Sequence, residues 1–336
     1  MLRFIVSRLI GMIVVLWVVS VVTFAIFYLA PTVSHTSPVY YFVGKVIYQP
    51  GSPQFKLLEH RYGFDLPIYE QYWHWLRQIF IGGQFGQGMG TVVQCHAPCL
   101  GYSFRLNDTV SHLIWQALPV SVSLCVGASV LWLVGGVVVG TISALKPGSF
   151  VDRAGMVGAL VAISLPVFFT GPLLLLLFEY KLHWLSNLNY TPITQNPLQW
   201  LEVMLLPWLT LAFAYAAMYA RMTRSNMSET LGDDYMRTAR AKGLPRRTVI
   251  VKHGLRAALT PVVTIFAMDL ALLFGTTVIT EQVFNFRGLG WLAIHAIGQQ
   301  DLPVIMGVTV VAAVVIVVAN AIVDILYAFI DPRVRL

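Results

Sequence analysis

Residues 118–145 read LPVSVSLCVGASVLWLVGGVVVGTISAL, with no charged side chain anywhere in the run. A helix needs about 20 consecutive, mostly apolar residues to cross roughly 30 Å of hydrocarbon, and this stretch exceeds that. Five more runs of the same character lie at about 9–30, 154–178, 202–220, 259–280 and 303–327. The whole chain agrees with them: of 336 residues, 57% are hydrophobic and 11% are charged. A soluble domain carries about 25% charged residues. This balance excludes a disordered chain, a disulfide scaffold and an ordinary soluble enzyme. The expectation is an all-α integral membrane protein with six transmembrane helices. The first run is too long for the apolar core of a signal peptide and shows no clear cleavage site, so it reads as a retained helix.

The net charge of +7 comes from 22 basic against 15 acidic residues. The basic residues gather in alternate connections. Arg3 and Arg8 precede the first run, and Lys146 and Arg153 follow the second. Arg221, Arg224, Arg237, Arg240, Lys242, Arg246, Arg247, Lys252 and Arg256 follow the fourth, and Arg333 and Arg335 end the sequence. The other connections share the remaining seven. Lys and Arg accumulate on the cytoplasmic side of a membrane protein, so both termini are predicted to be cytoplasmic. The predicted organisation is a transmembrane helix in 1–30, an extracytoplasmic loop in 31–117, and a five-helix core in 118–336 with an inner loop at about 221–258. A nucleic-acid surface would need a basic face on a soluble domain, and none is visible.

The inner loop contains Gly232-Asp233-Asp234-Tyr235-Met236-Arg237-Thr238-Ala239-Arg240-Ala241-Lys242-Gly243-Leu244-Pro245. Both ends of a short helix are marked in it. Asp233 or Asp234 can accept from the unpaired N–H groups of the first turn, and their charge suits the positive helix end. Arg240 and Lys242 suit the last turn. Gly243 can take a left-handed conformation, and Pro245 stops continuation. A second helix is expected from near Arg246. A short helix held between two membrane helices can act as a lever on both. The competing reading is an amphipathic helix lying on anionic lipid.

The run from Asp234 to Leu244, followed by His253-Gly254-Leu255-Arg256-Ala257-Ala258-Leu259-Thr260-Pro261, resembles the EAA loop of ABC importer permeases. It is most similar to the B-type permease subunit of oligopeptide, dipeptide and nickel uptake systems. Other segments extend the likeness in the matching order. Leu206-Pro207 opens the fourth run, and Arg221, Arg224 and Ser225 close it. Glu281, Phe284 and Gly288-Leu289-Gly290 follow the fifth, and Gln300-Asp301-Leu302-Pro303-Val304 precedes the last. Asp324-Ile325-Leu326-Tyr327-Ala328 and Asp331-Pro332-Arg333-Val334-Arg335 end the chain. The likeness is close over about 206–336. It is weaker toward the start, where Tyr62-Gly63-Phe64-Asp65-Leu66-Pro67 and Gln71-Tyr72-Trp73-His74-Trp75-Leu76 carry it. There are departures. Arg237 stands in place of the motif's glutamate, and Ala257 in place of an asparagine. Pro31-Thr32-Val33-Ser34 replaces a PGDP-like turn, and Gly83-Gln84-Phe85-Gly86 replaces a GDxG.

The resemblance implies a type I ABC importer permease fold in a bacterial cytoplasmic membrane, with a long extracytoplasmic loop after the first helix. It implies ATPase coupling through Asp234, Arg237, Ala239, Arg240, Ala241, Lys242, Gly243 and Arg246. The basic side chains would pair with acidic groups on an ATPase, Ala239 and Ala241 would allow close approach, and Gly243 would permit the turn. The implied partners are a second homologous permease, two cytoplasmic ATP-binding subunits and an extracytoplasmic substrate-binding protein. ATP and Mg would belong to those ATP-binding subunits, because this sequence has no GxxxxGK[ST] run. No catalytic residue, metal or cofactor is expected in this chain. The implied cargo is a di- or oligopeptide first, with nickel, haem or another small solute as alternatives. The eight histidines are scattered, which does not favour nickel. A stand-alone secondary transporter would call for coupling acids at mid-membrane and internal repeats, and no repeat is visible.

Asp269 lies well inside the fifth run. An aspartate near a helix centre costs about 2.5–3.5 kcal/mol on insertion scales, so it should face the bundle. It either lines the translocation path, where it would meet an ammonium group, or makes an interhelical hydrogen bond. Asn320 and Asp324 read as structural, and Glu281 as a cap for the loop that follows it. Gly136 and Gly140 form a GxxxG suited to close packing, and Pro166 and Pro172 are expected to kink the third run. In the 31–117 loop, Ile68, Tyr72, Trp75, Leu76 and Ile79 fall on one helical face. That face either lies on the membrane interface or forms a packed cap. Cys95 and Cys99 suggest a disulfide, with a metal held by them and His96 as the alternative. Residues 87–108 or so read as an insertion. Cys125 reads as a packed thiol.

Overall fold

The computed structural model describes residues 2–33, 39, 52–85, 92–185 and 190–330. Ser34, Lys45, Gly86, the start of the 87–108 insertion and the Asp331–Arg335 motif lie outside the described residues, as do the side chains of Arg3 and Asp324. Helix α1 spans Leu2–Val33. Helix α2 spans Pro53–Tyr62: Ser52 accepts the Phe55 N–H, Pro53 fills the first turn, and Gly63 closes the end at φ +68°. These are the residue types that cap a helix at low cost. Helix α3 spans Ile68–Ile81. Two antiparallel ladders follow. β1 (Gly83–Phe85) pairs with β2 (Val93–Cys95), and β3 (Tyr102–Ser103) pairs with β4 (Asp108–Thr109). The all-α expectation is therefore corrected to a mostly helical fold with two short ladders. Gly82, Gly83, Pro98 and Gly101 interrupt helical propagation there, and strand pairing satisfies backbone groups that a helix would otherwise satisfy.

The rest is helical. α4 spans Val110–Leu145, α5 Phe150–Ser164 and α6 Val167–Leu175, which runs into a π turn at Leu176–Lys181. α7 spans Pro197–Gly232, α8 Asp234–Ala241 and α9 Arg246–Thr248, followed by a π segment at Val249–Leu255. α10 spans Arg256–Val283, α11 Leu289–Gln299 and α12 Leu302–Ile330.

Among the described residues, five segments are long and apolar enough to cross a membrane: Val6–Tyr28, Val110–Leu145, Pro197–Gly232, Arg246–Leu270 and Leu302–Ile322. The α5–α6 pair makes a sixth if counted as one span, but it is bent by 107°. A kink was expected there, and the chain breaks instead. Leu165 is extended at φ −96°, ψ 118°, the conformation that a following proline imposes. Pro172 sits inside α6. Pro207 likewise lies inside α7 and does not open it: the helix starts at Pro197, where Asn196 accepts the Gln199 N–H. α7 also continues past Arg221, Arg224 and Ser225, so the beginning of the expected inner loop is helix. Main-chain hydrogen bonding outlasts the apolar run that announced it.

By its internal contacts the chain divides into residues 1–120 with 287–321, and residues 121–286 with 322–336. In the first unit α3 seats against α1 and α12. Trp75 is buried with Phe24, Tyr28 and Met306, and Tyr72, Leu76 and Ile79 pack around them. The Phe24 and Tyr28 rings stack at 4.1 Å, and the Tyr72 and Ser20 hydroxyls lie 2.9 Å apart. The apolar face of α3 is thus covered by the protein itself, while Ile68 and Trp73 are exposed.

In the second unit α7 packs along α5, α6 and α10. Gly136 and Gly140 let α4 approach α7. A Cβ on Gly136 would lie 2.5 Å from the Cβ of Tyr219 and 3.0 Å from the Ala216 carbonyl. One on Gly140 would strike the Ala220 carbonyl and lie 2.7 Å from the Cβ of Thr223. Overpacking of this kind costs about 1–3 kcal/mol. Gly140→Val should therefore lower the thermal unfolding midpoint in detergent, whereas Gly135→Ala, with nothing within 4 Å, should not.

Candidate functional site

The connection between α7 and α10 is built from α8, a turn, α9 and the π segment. Met236 and Ala239, three residues apart, share one face of α8. Both are buried against Val249, with Leu231 packed beside them. Next to them Met227, Ala258 and Ala144 form a second buried cluster, contacted by Leu145, Leu231 and Ile250. Gly254 makes the seat possible, since an added Cβ would meet the Met227 and Met236 methyls at 3.0 and 3.2 Å. Ala239 therefore packs against its own chain, which corrects the expectation that it faces a partner. Ala241 is exposed.

Away from that seat, α8 and the turn that follows it are charged and open. Asp234, Arg237, Arg240, Lys242 and Arg246 are all exposed. Arg237 lies 3.7 Å from Asp234, and Arg240 donates to the Leu231 carbonyl at 3.4 Å. Asp233 occupies the N-cap position, but its side chain makes no capping hydrogen bond. Partial burial, and then the neighbouring Asp233 charge, hold the Tyr235 phenol above its usual pKa. Gly243 adopts φ +72°, with nothing within 4 Å of where a Cβ would stand. Pro245 does more than stop α8: it is the N-cap of α9. A groove of about 460 Å3 lies alongside, lined by Ala144, Leu145, Leu231, Arg240, Leu244, Arg246, Val249 and Ile250.

Three polar ties join helices of the same unit. Arg224 on α7 donates twice to Asp152 on α5, through Nε to Oδ1 at 2.6 Å and Nη2 to Oδ2 at 2.9 Å. The Asp152 side chain is only 5% exposed. The Gly148 N–H also donates to it at 2.9 Å, and Ser149 accepts the Asp152 N–H at 3.2 Å. Sequence reasoning overlooked Asp152. Its signal was a Ser-x-x-Asp capping pattern, Ser149 to Asp152, just before an apolar run. The second tie runs from the Tyr219 hydroxyl to Asp269 at 2.7 Å, an interhelical bond between α7 and α10. Asp269 is half-buried. The third runs from the Ser121 hydroxyl on α4 to the buried Glu281 on α10 at 2.6 Å. The Glu281 main-chain carbonyl also accepts the Phe286 N–H at 2.9 Å. Elsewhere, Cys95 and Cys99 are joined by a disulfide. Both sulfurs are thereby occupied, so the alternative metal set with His96 is not formed. Cys125 is a half-buried free thiol, and Asn320 is exposed.

This basic, two-helix connection sits in residues 136–336, which match the family described as the inner membrane component of binding-protein-dependent transport systems. Residues 1–125 match the N-terminal part of the same membrane component. The chain belongs to this permease family. Similar relatives include the oligopeptide transport system permease AppB of Bacillus subtilis, 34% identical over the full length of both chains. Another is the glutathione transport system permease GsiC of Escherichia coli, 32% identical over all of this chain and 99% of that one. The permease is thus a multi-pass inner-membrane transport component, and its family is not a family of catalytic enzymes.

In this permease the Asp152–Arg224 pair anchors the end of α7 that leads into α8. Removing one partner leaves the other charge without its fork of hydrogen bonds. Arg224→Ala should therefore lower the thermal unfolding midpoint of the permease in detergent. The double variant Asp152→Asn with Arg224→Gln should lose less than the two single changes added together, because neither charge is left stranded.

Proposed function

We propose that this chain is the six-span permease subunit of an ATP-driven importer and forms half of a translocation path for di- and oligopeptides. The observation that carries the reading is α8: one face is packed into its own chain and the charged face is left open, in a chain of this family. A helix seated in this way transmits force to α7 and α10 and does not slide on lipid. In this reading it docks on a cytoplasmic ATP-binding subunit through Asp234, Arg237, Arg240, Ala241, Lys242 and Arg246, with Gly243 forming the turn. Both termini are cytoplasmic, in line with the clustering of Lys and Arg. Residues 1–30 are the first span, 31–117 an extracytoplasmic cap and 118–336 the core. The Cys95–Cys99 disulfide suits an oxidising, extracytoplasmic side.

The complete importer contains a second homologous permease, two ATP-binding subunits and a substrate-binding protein. Those ATP-binding subunits hold the nucleotide. Peptide cargo is supported by the oligopeptide and glutathione permeases among the relatives. Asp269 lines the path: one carboxylate oxygen accepts the Tyr219 hydroxyl, and the other is offered to a passing ammonium group.

The test is reconstitution of the complex in proteoliposomes, with labelled peptide uptake and ATP hydrolysis measured together. A side chain at a left-handed glycine costs only about 1 kcal/mol, and the space around Gly243 is open. Gly243→Asp should therefore leave insertion intact while abolishing peptide-stimulated ATP hydrolysis and uptake. Full uptake by that variant would refute the coupling role.

A further inference from the structure

Between the β3–β4 ladder and the end of α11 lies a cavity of about 470 Å3, lined by Phe104, Arg105, Gly298, Gln299 and Gln300. All five residues belong to one compact unit of the chain. Arg105 is the charged group in the lining. Its Nε is shielded from water and has no hydrogen-bond partner among the described residues.

Asp301, whose carboxyl feels the Arg105 charge, is already engaged by its own chain. Ser103 donates its hydroxyl to one oxygen of Asp301, and the Val304 N–H lies 3.5 Å from the other. Both Ser103 and Asp301 are buried. Burial pushes the Asp301 carboxyl above its usual pKa, while Ser103, the Val304 N–H and the charge of Arg105 pull it back.

The opposite wall is braced. The Gln299 and His295 side-chain nitrogens lie 2.9 Å apart, and the His295 ring stacks on Trp291 at 4.7 Å. The Arg287 guanidinium lies 5.7 Å from the Trp291 ring centroid. Trp291, His295 and Gln299 recur every fourth position and form one stripe along α11, with Arg287 just ahead of the helix. Gln299 is thereby held in place, so little side-chain freedom remains to be lost when it meets a ligand.

The Arg105 guanidinium in the lining, flanked by two amides, matches the planar pair of oxygens of a carboxylate through its terminal N–H groups. Size points to what bears that carboxylate. A single acidic side chain would leave most of the cavity unfilled, whereas the volume falls within the range of about 300–1,000 Å3 typical of small-ligand sites. We infer that Arg105, Gln299 and Gln300 form a binding site for the free carboxylate end of a short peptide, about a dipeptide in size. The inference rests on the peptide cargo proposed above.

The binding test uses the membrane complex of two permeases and two ATP-binding subunits in nanodiscs, without the substrate-binding protein. The probes are alanyl-alanine and alanyl-alaninamide, which differ in carrying a free or an amidated carboxyl end. Binding is read by equilibrium dialysis of the labelled probes. The acid should bind at least about tenfold more tightly than the amide. Arg105→Gln should abolish that preference, and Arg105→Lys should keep part of it as a point charge without the fork. Gln299→Leu, which leaves the charge in place, should weaken acid binding by a smaller factor. It carries the test together with Arg105→Lys if Arg105→Gln does not fold. Equal binding of acid and amide by the unaltered complex would overturn the inference, as would a preference that survives in folded Arg105→Gln. In proteoliposomes supplied with the substrate-binding protein, an Arg105→Gln complex that binds peptide unchanged but is stimulated less by that protein would also overturn it, by assigning the carboxylate to that protein. Failure of the unaltered complex to take up any peptide in those proteoliposomes would refute the cargo reading itself. Normal uptake without an acid preference would remove only the pocket.

Discussion

Inside hydrocarbon no water is available to bond a bare peptide group, so a crossing segment must pair every N–H and C=O internally. The long helices α1, α4, α7, α10 and α12 follow from that constraint. It also explains where the irregular backbone falls. The two ladders lie between α3 and α4, in the stretch where glycine and proline interrupt helix. The π segments at Leu176–Lys181 and Val249–Leu255 adjoin helices and do not stand alone. Among the described residues the Leu165–Pro166 break lies within an otherwise apolar run, where proline removes a donor and restricts the residue before it.

Helices in lipid gain little from hydrophobic association, because the tails are as apolar as leucine. They gain from close approach and from paired polar groups. Both appear around α7. Gly136 and Gly140 bring α4 against it. Asp152–Arg224 ties it to α5, and Tyr219–Asp269 ties it to α10. Ser121–Glu281 then links α10 to α4. The helices that flank α8 are therefore each tied to neighbouring helices by polar pairs.

Much of this was legible in the residues. The apolar runs located the membrane segments, and the Asp-rich start, Gly243 and Pro245 located α8. The period of Ile68, Tyr72, Trp75, Leu76 and Ile79 located α3. These signals are local: a run, a cap and a period each depend on a few neighbouring residues. What α3 packs against was not legible, since an apolar face reads the same whether lipid or Phe24 and Tyr28 cover it. The facing of Ala239 was hidden for the same reason. Small residues suit both an internal seat and a partner's surface, and only Met236 and Val249 decide between them.

The amino-acid sequence by itself determined that the chain is a helical membrane protein of the permease type, with a short capped helix in its most basic connection. Hydrocarbon thickness and helix termini impose requirements that a single stretch of chain can meet alone. Tertiary structure alone decided which polar groups are matched. Asp152 finds Arg224 across 72 positions, Ser103 finds Asp301 across 198, and Ser121 finds Glu281 across 160. Such pairs leave no periodic trace, because a buried hydrogen bond depends on distance in space and not on spacing along the chain.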